Sequence, residues 1–334
     1  MAAAACWRCF SASSYILPRN NEYTSTPTCY FVHFLGTSSG VPTATRNVTS
    51  QCIRFPSDRL WLLDCGNLRF IHHGLTFEKI DKIFITHLHG DHCYGIFGLL
   101  MMLAMKGGKR QSDVDGGKVP FEVVGPKGIR AMIEGVFAHS QSFLNFPIVY
   151  TELDEGQPHD LGVKDDGWHV WAYPLTHRVP CFGYVFKEPA EKGTFDAPTA
   201  TSMGAKGPQI GQLAKGGSVT LADGRVISHA DCLRPGKEGR CLVLLGDTHN
   251  SDSIDEAAKG CDLLVHEATF DATMEERARD TGHSTTYEQP WNEEKVPSIE
   301  ELLEETRAQC PDIAAAENVF AAHDYWWIDL PKKT

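Results

Sequence analysis

The stretch KIFITHLHGDHCYGIFGLL carries His87, His89, Asp91 and His92 as H-x-H-x-D-H, directly after an apolar, strand-like run. Neutral imidazoles and carboxylates are the ligands that borderline divalent metals such as zinc prefer. Such side chains are costly to bury without partners, so packing explains the cluster poorly. Three further strand-like runs end in the same residue types: His177 after VWAYPLT, Asp247 in LLGDT and His323 after NVFAA. Seven such ligands suffice for two metals joined by a carboxylate and a water. Two metals roughly 3.5–4 Å apart activate that water and clamp a phosphodiester in line. The His87/His89 pair would grip one metal and Asp91/His92 the other. Asp247 suits the bridge, because a carboxylate can share its two oxygens.

The elements that must position these residues read as strands with interspersed helices. YFVHFLGTSSG is a strand ending in a Gly/Ser loop, and QCIRF, LWLLDCG and DKIFITH are short β-branched or apolar strands. The cluster therefore follows a strand end, where α/β proteins place their chemistry. Residues 93–105 are apolar all round and predict a buried helix. FEVVGP predicts a strand, and residues 129–144 a helix with an apolar face at Ile129, Met132, Ile133, Val136 and Phe137. WHVWAYPLTH, CFGYVF, CLVLLGDT and CDLLVHEATF are further strands. Residues 187–240 break the rhythm: they are rich in Gly, Pro, Ala and Lys, with one strand-turn signal in SVTLADGRVI, and predict an excursion from the domain. Pro297, Ser298 and Glu301 predict a capped helix over 298–306, and ENVFAAHDYWWIDLP a last strand followed by an aromatic tail.

The bulk properties bound the function. The chain has 334 residues, 42% hydrophobic and 22% charged, which suits a globular protein with a sizeable core. Its 31 Lys+Arg against 43 Asp+Glu give a net charge of -12, which argues against a protein that coats nucleic acid generally. RNA can still be a substrate where a local basic patch or bound cations hold its phosphates. Eleven scattered cysteines, an odd number, fit a reducing compartment rather than a disulfide framework. No apolar run approaches the roughly 18 residues that span a membrane. Residues 1–27 are Ala- and Ser-rich, hold Arg8 and Arg19 and have no acid before Glu22. They read as a mitochondrial or other organelle transit peptide, or as a disordered leader on a cytoplasmic or nuclear protein. Cys6 and Cys9 form a C-x-x-C without the second pair that a zinc ribbon needs.

H-x-H-x-D-H with downstream His, Asp and His resembles the metallo-β-lactamase superfamily. More narrowly, FLGTSSGVP, RNVTS, LLDCG, PLTH, FGYVF, GDT, HEATF and GHST resemble tRNase Z, the family of tRNA 3′-processing endoribonucleases, in its short form. The match runs from about residue 30 to 323. The resemblance implies an α/β fold, the four-layer αβ/βα sandwich, as one catalytic domain over 28–334 with a flexible arm inserted at 188–240. It implies two zinc ions, with Mn2+ or another divalent metal as substitute: His87, His89 and His177 on the first, Asp91, His92 and His323 on the second, Asp247 bridging. Asp91 would also take the proton of the attacking water. Glu267 of HEATF and His283 of GHST would protonate the leaving 3′-oxygen, a role that suits a His oriented by a carboxylate. Lys192, Lys206, Lys215 and Arg225 of the arm would meet tRNA phosphates, and Arg46 and Asn47 would contact substrate from the loop PTATRN. Precursor tRNA is the implied substrate and a homodimer the implied assembly, with no membrane attachment.

The chain departs from the family pattern in three places. Ala44 stands where the P-x-K-x-R-N loop carries Lys, which bears on rejection of CCA-ended tRNA. His323 lies in AHDYWW rather than H-F-S-x-R-Y, so Asp324 is a rival ligand. The segment between GHST and His323 is long and acidic. Two other functions fit the residues less fully: a phosphodiesterase acting on small phosphodiesters or cyclic nucleotides, which needs no arm, and a catalytically weak RNA-binding paralogue, which needs no ligands.

Overall fold

Side-chain alternation along the strands sorts apolar residues onto two faces of each sheet. In the computed structural model, which describes residues 4–8, 19–20, 30–66, 68, 74–105, 121–164, 167–285, 322–324 and 326–330 (the first two segments as backbone alone), two mixed sheets result. The larger has eight strands in the spatial order β2 (Arg19–Asn20), β16 (Trp326–Leu330), β3 (Tyr30–Gly36), β4 (Ser50–Arg54), β5 (Leu60–Leu63), β6 (Ile80–Phe84), β7 (Phe121–Pro126), β8 (Ile148–Leu153). The smaller has six: β1 (Ala4–Arg8), β15 (Leu263–Ala268), β14 (Cys241–Leu244), β11 (Cys181–Lys187), β10 (His169–Leu175), β9 (His159–Val163).

Between the sheets lies an aromatic-rich core. Phe34, Trp61, Leu63 and Phe84 from one sheet join Val170, Ala172, Tyr184 and Phe186 from the other. The alternate residues Leu35, Leu60, Leu62 and Ile83 face outward, under helices α2 (Gly95–Met105) and α3 (Ile129–His139). Helix α3 buries Ile129, Ile133 and Phe137, one residue per turn on a single face. On the outer side of the smaller sheet, Trp171, Val185, Val243 and Leu245 pack with Ile254 and Cys261. The layers are therefore helix, sheet, sheet, helix. Four strands, β5, β6, β10 and β14, end beside the site, and the segments after them carry Asp64, His87, His177 and Asp247.

The chain divides into two compact units, one of Met1–Lys187 with Cys241–Pro331, the other containing Glu188–Arg240. The second has its own small core of Ala200, Ala205, Leu213, Val219, Leu221, Ile227 and Cys232. These come from helices α4 (Ala197–Ser202) and α5 (Pro208–Ala214), the hairpin β12 (Ser218–Thr220) and β13 (Val226–Ser228), and the turns between. Asp196 caps α4 by accepting from the Thr199 N–H at 3.0 Å.

The aromatic tail expected after His323 is itself a strand, β16, paired with β3. The reason is period 2: Trp326, Ile328 and Leu330 alternate with Trp327 and Asp329 and join the central core. The strand expected before His323 and the helix over 298–306 lie outside the described residues. So does Cys9. The helix expected over 93–105 is two helices, α1 (Gly90–Cys93) and α2, and Met105 at its end is exposed. Among the described residues no helix is long and apolar enough to cross a membrane.

Candidate metal centre

His87 follows β6, fully buried at the sheet edge. His89 is the N-cap of α1, and Asp91 and His92 lie on that helix. His177 follows β10, Asp247 follows β14, Glu267 sits on β15, and His283 follows the helix α7 (Glu275–Thr281). Three overlapping groups result: His87/His89/His177, His87/His92/Asp247 and Asp247/Glu267/His283, each with ligand atoms within 4.8 Å of one another. His87 and Asp247 are shared, so the groups form one continuous site.

The imidazole tautomers can be read from their outward partners. Thr86 Oγ1 donates to Asp64 Oδ2 at 2.8 Å, so its oxygen accepts from His87 Nδ1 at 3.0 Å. The Gly282 carbonyl can only accept, so the proton of His177 sits on Nδ1, 2.6 Å away. His92 Nδ1 donates to Asp64 Oδ2 at 2.7 Å. Nε2 of His87 and of His177 is therefore left as a lone pair. Nε2 of His87 and of His177 converge on His89 Nδ1 at 3.0 and 3.2 Å. Burial drives the pKa of His87, His89 and His177 below the usual histidine value, which keeps the rings neutral. Converging neutral lone pairs fit a cation far better than they fit each other.

The second pocket is more acidic. His92 Nε2 is buried and makes no hydrogen bond of good geometry; carboxylate oxygens of Asp247 and Asp91 stand 3.3 and 3.4 Å from it. Burial alone would lower the His92 pKa, yet Asp247 and Asp64 raise it well above the usual value. Burial pushes the Asp247 carboxyl up, but His92, His87 and His283 hold it far below the carboxylate range. Asp91 is likewise held low against its burial by His92, and the Gly40 N–H donates to its Oδ2 at 2.8 Å. An ionised carboxylate pair facing a buried imidazole suits a divalent metal, which would take over the role of the extra proton. Gly66 makes this approach possible, since a Cβ there would fall 1.9 Å from the Asp91 carbonyl oxygen.

On the far side of Asp247, His283 Nδ1 meets Glu267 Oε1 at 3.1 Å. Burial lowers the His283 pKa, but Glu267 and Asp247 outweigh it and raise it. Glu267 is itself fixed: Oε1 accepts from the Thr248 and Ser284 N–H groups, and Oε2 from the Thr269 N–H and hydroxyl. The GDT, HEATF and GHST loops thus meet on one carboxylate.

Several expected residues behave differently. His323 falls in none of the three groups; its Nδ1 lies 3.2 Å from an Arg46 guanidinium nitrogen. Asp324 is no rival ligand, because its oxygens accept from the Thr37 hydroxyl at 2.8 Å and the Asn47 N–H at 2.6 Å. The expectation that Arg46 and Asn47 face substrate is corrected: both are buried, and the Arg46 guanidinium donates to Thr37 Oγ1 and the Ala322 carbonyl. They tie the 37–47 loop to the 322–324 segment. Asp64 was missed by sequence reasoning. Its signal was LLDCG itself, a strand ending in an acid beside a histidine cluster. Lys192, Lys206 and Lys215 are exposed on the second unit, whereas exposed Arg225 is bonded to Asp223 at 2.6 Å.

The layers and the strand-end site define a member of the metallo-β-lactamase superfamily, a metal-dependent hydrolase. A family model described as "Anti-Pycsar protein Apyc1" matches residues 31–112. Ribonuclease Z of Bacillus subtilis (strain 168) is 36% identical over 315 residues, covering 90% of this chain and 98% of its own. Ribonuclease BN of Cronobacter sakazakii is 41% identical over 260 residues, 76% of this chain and 81% of its own. The crystal structure of human tRNase Z, short form, matches with a TM-score of 0.61 at 24% identity, covering 90% of this chain and 99% of that one. The chain belongs to the ribonuclease Z family.

Proposed function

We propose that the protein is a zinc-dependent endoribonuclease that removes the 3′ trailer from precursor tRNA, cutting after the discriminator nucleotide and leaving a 3′-hydroxyl. The observation that carries this reading is the continuity of the three ligand groups through His87 and Asp247: a neutral three-imidazole pocket, an acidic pocket and a proton-donor pair stand in a row. His87, His89 and His177 would hold one zinc. Asp91 and His92 would hold the second, with Asp247 shared and His323 completing it. Bound there, the metals would activate a water and polarise the scissile phosphate. Asp91, oriented by the Gly40 N–H, accepts the proton of the attacking water. His283, kept protonated by Glu267, donates a proton to the departing 3′-oxygen. Thr86 and Asp64 hold the rings in the tautomer this requires.

Glu188–Arg240 supports binding of the substrate as an exosite. It holds seven Lys+Arg against six Asp+Glu in a chain of net charge -12, and Lys192, Lys206 and Lys215 point charge into solvent. The protein acts as a homodimer, which sedimentation of the purified chain would reveal. The leader at 1–27, whose residues 4–8 and 19–20 form the edge strands β1 and β2, would direct the chain to an organelle; a full-length fluorescent fusion found in the cytoplasm or nucleus would refute that.

The function itself is tested by incubating the protein with a precursor tRNA, with and without chelator, and mapping the cut at nucleotide resolution. Chelator-sensitive cleavage at the discriminator boundary is expected. A cut elsewhere overturns the reading, and cleavage of small phosphodiesters alone replaces it with the phosphodiesterase.

A further inference from the structure

The loop that carries the proton donor also touches the three-imidazole pocket. Gly282 is the C-cap of α7, with φ +75°, in the left-handed region that favours glycine. Its carbonyl accepts from His177 Nδ1 at 2.6 Å. A Cβ on Gly282 would lie 2.6 Å from that same Nδ1 and 3.1 Å from the Arg178 backbone nitrogen. The next residue is His283, on Glu267, and Ser284 donates to Glu267 and to the Thr248 carbonyl. Three consecutive residues therefore reach one metal pocket, the proton donor's carboxylate and the loop after Asp247.

We propose that Gly282 is a positioning residue: its carbonyl fixes the tautomer and aim of His177, so that metal affinity in the His87/His89/His177 pocket and placement of His283 are set by one loop. Three features make the glycine necessary. The carbonyl must turn toward His177, which needs the positive φ. The ring must approach the Cα closely, which a side chain would block. The proton must sit on Nδ1, because only then is Nε2 a lone pair facing His87 and His89. The outward acceptors of His87 and His92, Thr86 and Asp64, lie just after strands β6 and β5. His177 alone takes its acceptor from the loop of the proton donor. Outer partners of metal-bound histidines change metal affinity by about 10–100-fold when lost, so the coupling is measurable without catalysis. The inference rests on the reading of His87, His89 and His177 as a metal pocket.

The test strips the full-length protein of metal and titrates it with Co2+, following ligand-field absorbance and stoichiometry, for the native chain, Gly282→Ala and Gly260→Ala. Gly260 has φ +69° and nothing within 4 Å of where its Cβ would be, so Gly260→Ala imposes the same backbone strain without meeting a histidine ring. The expected result is two Co2+ per native chain, one of them bound about 10–100-fold more weakly in Gly282→Ala, and native binding in Gly260→Ala. Unchanged affinity in Gly282→Ala, or equal weakening in both variants, overturns the proposal. A native chain that binds no Co2+ through His177 sinks the metal-pocket reading instead. Should Gly282→Ala fail to fold, imidazole nitrogen NMR of the metal-loaded native protein decides: a protonated Nδ1 on His177 supports the proposal, and a protonated Nε2 overturns it.

Discussion

The body and the arm of this protein are stabilised differently. The body's core is built on large rings: Trp61, Trp168, Phe34, Phe84 and Tyr184 are all fully buried, each contributing on the order of 3 kcal/mol through burial. The hydrophobic cluster of the arm, Glu188–Arg240, is built mainly from small and aliphatic side chains such as Ala200, Leu213, Val219 and Ile227. The chemistry divides the same way. The body gathers histidines and carboxylates whose protonation is set by burial and by each other. The arm presents exposed lysines at 192, 206 and 215. Ångström shifts matter at a catalytic site, whereas charge contacts to phosphates tolerate movement. If this contrast is right, damage to the body should abolish chemistry on every substrate, and damage to the arm should weaken only the binding of tRNA.

The largest effect should come from Asp247→Ala. Asp247 belongs to two of the three ligand groups and stands 3.3 Å from His92 and 3.7 Å from both His87 and His283. Turnover of precursor tRNA and of a small chromogenic phosphodiester should fall together, on the order of 10³-fold, with loss of bound metal by elemental analysis. Loss on tRNA alone would break the contrast, since it would place substrate recognition in the body.

Glu267→Gln should cost about 10²-fold in kcat and move the pH profile. Glu267 raises the pKa of His283, against a burial effect that lowers it. A cationic acid with a raised pKa stays protonated to higher pH; without Glu267 it loses its proton at lower pH. The alkaline limb of kcat should therefore shift toward acid, and a small phosphodiester with a good leaving group, which needs no proton, should be spared. An unmoved limb would remove His283 from the role of donor.

These roles differ in how far the sequence revealed them. The candidate ligand groups were legible because their residue types are rare in packed interiors and recur at strand ends. The central strands were legible for a related reason: both faces are buried, so they read as unbroken apolar runs. β8 and β9 escaped notice because they are edge strands, with Glu152, Thr151, His159 and Asp160 facing partly outward, so no alternation stands out. The resemblance of their loop to the family pattern suggests Arg46 and Asn47 as substrate contacts, yet both are buried. Their partners, the Ala322 carbonyl for Arg46 and Asp324 for Asn47, are 276 and 277 residues away in the chain, and nothing local announces them. Asp64 was legible only in retrospect: a lone acid after a strand reads as a turn, and its left-handed φ of 55° is just what a turn residue would show. Sequence thus exposes a residue's own chemistry well, and its long-range partner poorly.

Replacing Lys192, Lys206 and Lys215 together with Ala should raise KM for precursor tRNA about tenfold at moderate salt, with kcat and small-substrate turnover unchanged. The dependence of log KM on log salt should flatten by about 2 to 3 in slope, since each phosphate contact contributes about one. Equal loss on both substrates would mean that the arm acts by supporting the body, not by holding RNA.

The smallest effect should come from Arg225→Ala, and it sharpens the picture of the arm most. Arg225 was expected to meet phosphate alongside the three lysines, yet its Nε donates to Asp223 at 2.6 Å and its terminal nitrogen to the Met203 carbonyl at 3.3 Å. Asp223 also accepts from the Arg225 N–H. A guanidinium so engaged must leave a carboxylate to reach a phosphate, and exposed ion pairs gain little either way. KM for precursor tRNA should therefore change by no more than about twofold, and the salt slope by less than for any one of the lysines. A larger change would show that Arg225 exchanges Asp223 for phosphate on binding. Asp223→Ala would then tighten tRNA binding, because it releases the guanidinium in advance.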